Sequence, residues 1–124
     1  TLVGSPRLAS LAELALDGGE VNDRQILAEI APCFVEDERG GARRTDAVVL
    51  ACTHYPLLLD RLVALAPWPV QWIDPAPAIA RRVATVLGPA KSASGSADAA
   101  MIFTSGRPHA AAMLAPFFGG RVPA

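Results

Sequence analysis

The sequence predicts an α/β fold, a parallel sheet with flanking helices. Short β-like runs alternate with helical stretches along the chain, which is the pattern of parallel α/β domains. The clearest run, residues 46–51, is continuously aliphatic, as is typical of a strand covered on both faces. The length of 124 residues suits one domain, and 52% hydrophobic against 19% charged residues exclude intrinsic disorder.

The first part of the chain predicts a strand followed by two helices. Residues 1–4 resemble a strand, and Ser5 and Pro6 supply a preferred N-cap and first helical residue. The first helix is predicted by apolar residues at helical spacing, namely Leu8, Leu11, Ala12, Ala15 and Leu16. Asn22 caps a second helix over 23–31, whose apolar face is formed by Ile26, Leu27 and Ile30.

The rest of the chain continues the alternation. The strand over 46–51 is followed by a helix over about 55–66, and a strand over 70–74 by a helix over 75–87. Small and polar residues over 88–98 predict a flexible linker. A last strand over 100–104 and a last helix over 107–118 are expected beyond it.

Charge and hydropathy exclude several classes of partner. Eleven basic residues are matched by twelve acidic ones, and no basic cluster is interleaved with aromatic residues, so a nucleic-acid partner is not expected. No apolar run approaches the roughly 20 residues that span a bilayer, so no membrane partner is expected either. No secretory signal is visible, and we expect a cytoplasmic protein with free thiols at Cys33 and Cys52.

Three reactive side chains follow the clearest strand. Cys52, Thr53 and His54 come where the strand ends and a helix begins, and open α/β sheets bind ligands at the carboxyl ends of their strands. A helix start and a protonated histidine both favour the thiolate form of a neighbouring cysteine. His54 is therefore a candidate proton shuttle for Cys52, and Thr53 offers a hydroxyl and an N–H group to an anion.

Plainer interpretations stand beside this one. A single cysteine that ends an apolar strand is commonly a small buried hydrophobic residue. A metal is not expected, because the remaining candidate ligands, Cys33 and His109, lack the spacing of a zinc site. After a helix and next to Pro32, Cys33 is interpreted as structural.

A longer motif adds a resemblance to a known family. Residues 46–59, DAVVLACTHYPLLL, closely resemble the second-cysteine motif of glutamate racemases, D-T-V-V-L-G-C-T-H-[YF]-P-L-L, with Ala51 in place of glycine. Asp74 and the following AIARR segment look like the family's next segment. Residues 4–13 look like the stretch that carries a family glutamate, at Glu13. His54 favours the glutamate enzymes over aspartate racemases of the same superfamily.

The resemblance implies a reaction and a set of site residues. It implies cofactor-independent racemisation of glutamate by two cysteines on opposite faces of the substrate, which supplies D-glutamate for peptidoglycan. Cys52 matches one catalytic cysteine, His54 the group that assists it, and Thr53 a substrate carboxylate contact. Glu13 matches a carboxylate near the substrate's ammonium group, and its alternative is a solvated side chain on an amphipathic helix.

The resemblance also implies a partial two-domain racemase-like fold. Residues 1–74 would form most of the second α/β domain, and residues 75–124 would return to a first domain. Since Thr1 is not Met and no first cysteine motif is present, we expect a fragment whose site a missing N-terminal half completes. A homo-oligomer remains open. The alternatives are another racemase of the superfamily, acting on aspartate or hydantoins, and a non-catalytic α/β module.

Overall fold

A computed structural model describes residues 1–36, 43–88, 101–104, 106 and 108–118. The chain divides into two compact units, Thr1–Arg81 and Arg82–Ala124. The first unit holds helices α1 (Leu8–Leu16), α2 (Asp23–Ile30) and α3 (Leu59–Leu65), strands β1 (Ala47–Val49) and β2 (Gln71–Ile73), and the 3-10 turns Ala31–Cys33 and Tyr55–Leu58. Helix α4 (Ala76–Leu87) crosses the boundary, and α5 (Ala111–Leu114) and the 3-10 turn Ala115–Phe118 follow.

The strands β1 and β2 pair in parallel, with Val48 opposite Trp72. The N–H of Leu50 donates to the carbonyl of Ile73 at 2.9 Å, which extends the ladder beyond β1. A parallel pair needs a crossover connection, and the chain between the strands contains α3. The predicted α/β fold with a parallel sheet and flanking helices is therefore confirmed.

The core of the first unit lies where α1, α2, α3 and the 3-10 turn Tyr55–Leu58 meet Leu50, the residue after β1. Ile26 and Leu62 have no exposed surface, and Leu58 is 2% exposed. The remaining buried residues of this cluster are Leu8, Leu11, Ala12, Ile30 and Leu50. Helical spacing in the sequence predicts most of this set, since i, i+3 and i+4 positions share one helix face.

Polar contacts fix the helix starts. The side chain of Asn22 accepts from the N–H of Arg24 at 2.9 Å, as predicted for the cap of α2. The Arg61 guanidinium donates to the Asp23 carboxylate and to the carbonyl of Val21, which joins α3 to the start of α2. Helix α1 begins two residues later than Ser5-Pro6 suggests, yet the Ser5 hydroxyl accepts from the N–H of Leu8 at 3.0 Å.

Two expected strands are absent from the part of the chain that the structure describes. Residues 1–4 and 101–104 form no ladder, and residue 100 lies outside the described residues. An apolar run indicates a preference for burial, whereas a strand also needs a neighbour that accepts its hydrogen bonds. The prediction of strands at 1–4 and 101–104 is therefore wrong.

The burial predicted for β1 is also wrong on one face. Val49 is 57% exposed, whereas Leu50 is 3% exposed, so helices cover only one face of the strand.

Two helix predictions also differ in detail from the structure. In α2, the predicted apolar-face residue Leu27 is 40% exposed, whereas the charged residue Glu29 is buried. The predicted third helix starts as the 3-10 turn Tyr55–Leu58 and becomes α-helical at Leu59.

The second unit contains the short helix α5. Leu114 is its buried residue, and the rings of Phe103 and His109 meet edge to face at 5.7 Å. The linker predicted over 88–98 lies outside the described residues apart from Gly88, and the domain boundary after residue 74 stays a prediction. Among the described residues, no helix is long and apolar enough to cross a membrane.

Candidate active site

The Cys52-Thr53-His54 segment lies at the carboxyl end of β1. The N–H of Tyr55 donates to the carbonyl of Cys52 at 3.3 Å, and that of Leu57 to the carbonyl of His54 at 3.0 Å. These bonds turn the chain directly from the strand into the 3-10 turn, whose first positions include Pro56. The sequence thus places the three side chains at the carboxyl edge of a parallel sheet, which is the edge where open α/β sheets bind ligands.

The His54 imidazole joins the thiol to a carboxylate. Its Nδ1 lies 3.7 Å from Cys52 Sγ and 3.5 Å from Thr53 Oγ1, and its Nε2 lies 3.1 Å from Glu13 Oε1. When Nε2–H donates to the carboxylate, Nδ1 is the acceptor that faces the thiol. In this arrangement His54 can take a proton from Cys52 while Glu13 stabilises the resulting imidazolium.

The structure therefore brings together all four side chains that the sequence singles out. Glu13 comes from α1, 41 positions before His54, and its side chain is half exposed. It contacts the imidazole, a pairing that neither sequence interpretation of Glu13 contains. The spacing of the two residues in the sequence carries no signal for this contact, because it depends on how α1 packs against the 3-10 turn.

Cys33 lies in a different environment from Cys52. It ends the 3-10 turn Ala31–Cys33, is half-buried, and its carbonyl accepts from the Thr45 hydroxyl at 2.7 Å. Burial raises the pKa of the Cys33 thiol, which favours the protonated form. Within the described ranges, His, Cys, Asp and Glu side chains form no group that could hold a metal ion.

A polar cluster close to the site was missed in the sequence. The Glu29 carboxylate accepts from the Ser5 hydroxyl at 2.6 Å and from Arg7 Nε at 2.8 Å. These donors hold the pKa of Glu29 below its usual range, with Ser5 as the largest cause. Burial is the largest cause that raises the pKa of Tyr55, and the nearby Cys52 is the next. A hydrogen bond with Ser5 lowers the pKa of Tyr55. Ser5, Glu29 and Tyr55 line one cavity of about 430 Å³.

Sequence comparison shows which known proteins the chain is similar to. No family model matches the chain. The sequence is 56% identical to a glutamate racemase of Mesorhizobium japonicum over 86% of this chain and 40% of the relative. It is 50% identical to a glutamate racemase of Rhizobium meliloti over 99% of this chain and 44% of the relative. The chain is thus similar to glutamate racemases, and it spans about two fifths of the curated relatives it matches.

A solved structure narrows the comparison. Escherichia coli glutamate racemase, crystallised with L-glutamate and the activator UDP-MurNAc-Ala, matches with a TM-score of 0.67 and 30% identity. The match covers 94% of this chain and 42% of that protein. The resemblance to glutamate racemases is confirmed over these residues.

Proposed function

We propose that this chain forms one side of the active site of a cofactor-independent glutamate racemase. The observation that carries the proposal is the contact of His54 with both Cys52 and Glu13, at 3.7 Å and 3.1 Å. This arrangement occurs in a chain whose relatives are glutamate racemases. An imidazole held between a thiol and a carboxylate is suited to generate the thiolate that proton abstraction needs.

The reaction we infer is an exchange of the α-proton. The Cys52 thiolate takes the proton from Cα, so that an S–H bond forms, the C–H bond breaks and the electron pair stays on carbon. A second thiol then gives its proton to the opposite face of Cα and becomes the thiolate. Two groups are needed because inversion requires the proton to leave one face and arrive at the other.

We assign the other two predicted site residues supporting roles. Glu13 orients the His54 ring and stabilises its protonated form. The ammonium contact that the family resemblance implies for Glu13 stays a prediction. Thr53 offers its exposed hydroxyl to a carboxylate of the substrate. We assign the second thiol to a part of the site outside this chain, because Cys33 lines the cavity of Ser5, Glu29 and Tyr55, which Cys52 does not line.

Glutamate is the substrate that the comparisons favour. The E. coli relative was crystallised with L-glutamate, and the curated relatives are glutamate racemases. The D-glutamate product would supply peptidoglycan precursors in a bacterial cytoplasm. A panel of glutamate, aspartate and a hydantoin distinguishes this proposal from other racemases of the superfamily. Faster turnover of aspartate or the hydantoin would contradict it.

Replacing Cys52 tests the proposal in the full-length protein that contains this sequence. We expect Cys52→Ser to lower the rate of racemisation by at least about 100-fold in both directions, since general acid–base groups contribute about that much or more. Circular dichroism of the racemisation mixture measures the rate, and Cys33→Ser is the matched control. A Cys52→Ser protein that interconverts the two enantiomers at the control rate would refute the assignment.

A further inference from the structure

Glu29 is a buried carboxylate that the proposed chemistry does not use. It lies on α2, and only 6% of its side chain is exposed, against 63% for its partner Arg7. Taking a carboxylate out of water is costly unless donors satisfy it, and Ser5 and Arg7 supply them. Both donors precede α1 directly, so Glu29 ties α2 to the segment from which α1 starts.

Two routes lead from this carboxylate to the candidate site. In the first, the Ser5 hydroxyl donates to Glu29 and accepts from the N–H of Leu8, the first residue of α1. The same helix carries Glu13, whose carboxylate contacts Nε2 of His54. The orientation of α1 therefore sets where the acidic partner of the imidazole lies.

The second route runs through Tyr55. Tyr55 lines the same cavity as Ser5 and Glu29. Tyr55 follows His54 directly and begins the 3-10 turn Tyr55–Leu58. The Ser5 hydroxyl thus joins α2 to the start of α1, beside the turn that follows His54.

We propose that Glu29 is a positioning residue for the Cys52–His54 pair, acting through the Ser5 hydroxyl on α1. The carboxylate holds the hydroxyl in one orientation, and the hydroxyl fixes the start of the helix that carries Glu13. The inference rests on the proposed function only for its relevance to racemisation. The positioning itself is a property of the thiol–imidazole pair and is measurable without turnover.

Alkylation of Cys52 by iodoacetamide provides the test. The 124-residue chain is used in a Cys33→Ser background, so that one thiol reacts. We expect Glu29→Gln to slow alkylation at pH 7 by at least about threefold, toward the lower end of the coupling that residues sharing one network show. In an added His54→Asn background, the same substitution should change the rate by less than about 1.5-fold, because the imidazole it positions is gone.

Matched variants separate positioning from a general loss of structure. Glu20→Gln makes the same chemical change at an exposed position, and Asp23→Asn weakens the Arg61 contact of α2 without touching Ser5. Both should alkylate at the rate of the parent chain. Ser5→Ala leaves the Glu29–Arg7 pair in place and should slow alkylation as Glu29→Gln does. If Glu29→Gln does not fold, the alkylation rate of Ser5→Ala tests the positioning role.

The outcomes that overturn the inference are distinct. Parental alkylation rates in both folded variants, or equal slowing with and without His54, would exclude a positioning role for Glu29. A full-length Cys52→Ser protein that still racemises glutamate would remove the proposed function. His54-dependent slowing by Glu29→Gln would in that case still establish the positioning role.

Discussion

At the scale of single residues, His54 is the centre of the candidate site. One ring nitrogen faces Cys52 and Thr53, and the other faces Glu13. The Cys52-Thr53-His54 motif was visible in the sequence because adjacent residues share one turn. The Glu13 contact and the cluster around Glu29 were not predictable, because they join positions that lie 22 to 41 residues apart.

The Glu29 carboxylate makes the stability of the fold depend on pH. Its pKa is lowered in the folded chain by Ser5 and then by Arg7, so its contribution is present above the ordinary carboxyl pKa of 4.5. As the pH falls through the lowered pKa of the folded state, protonation removes that contribution. We therefore expect Glu29→Gln to unfold at a lower urea concentration than the parent chain at pH 7, with a difference that shrinks below pH 4.5.

Urea titrations between pH 7 and pH 3 measure this difference. Glu20→Gln is the matched control, since Glu20 is exposed, and its urea midpoint should follow that of the parent chain at each pH. A gap between Glu29→Gln and the parent chain that stays constant down to pH 3 would show that the charge of Glu29 does not stabilise the fold.

At the scale of elements, the site depends on how α1, α2 and α3 pack. Leu58 and Leu62 follow the candidate site in the chain and are buried against α1 and α2 residues in one cluster. The helices were predictable because apolar spacing of three and four residues is a local property. The absence of a strand at 1–4 was not predictable, since pairing with another strand is not encoded in the apolar run itself.

Truncation of Leu62 tests the packing beneath the site. Leu62 has no exposed surface, so Leu62→Ala removes contacts on all sides and should cost about 2–5 kcal/mol of unfolding free energy. Urea denaturation followed by circular dichroism measures the cost. Leu87→Ala makes the same change at a residue that is 78% exposed, and equal losses in the two variants would contradict the core described for the first unit.

At the scale of the whole molecule, the chain corresponds to about two fifths of its curated relatives. Its parallel α/β character followed from the order of strand-like and helical runs. The exposure of one face of β1 could not be predicted in this way, because an aliphatic run indicates a preference for burial but does not show which elements cover it. Val49 and Ile73 lie at opposite positions of the parallel ladder, and both are exposed.

We expect the 124-residue chain alone to form no D-glutamate from L-glutamate. One thiolate cannot readily serve both faces of Cα, and Cys33 lines a cavity that Cys52 does not line. Chiral chromatography after prolonged incubation measures the product, with the full-length protein as the positive control. D-glutamate that appears with the chain and disappears with its Cys52→Ser variant would show that the chain needs no thiol from another part of the protein.

The aromatic residues give the first unit an optical signal of its own. Trp68 and Trp72 both meet the ring of Phe34 edge to face, and the indole N–H of Trp68 donates to the carbonyl of Thr45. Both tryptophans of the sequence lie within Thr1–Arg81. Intrinsic fluorescence therefore reports the unfolding of that unit, whereas far-ultraviolet circular dichroism reports helices of both units. The separation of the two melting curves measures how far the units unfold independently.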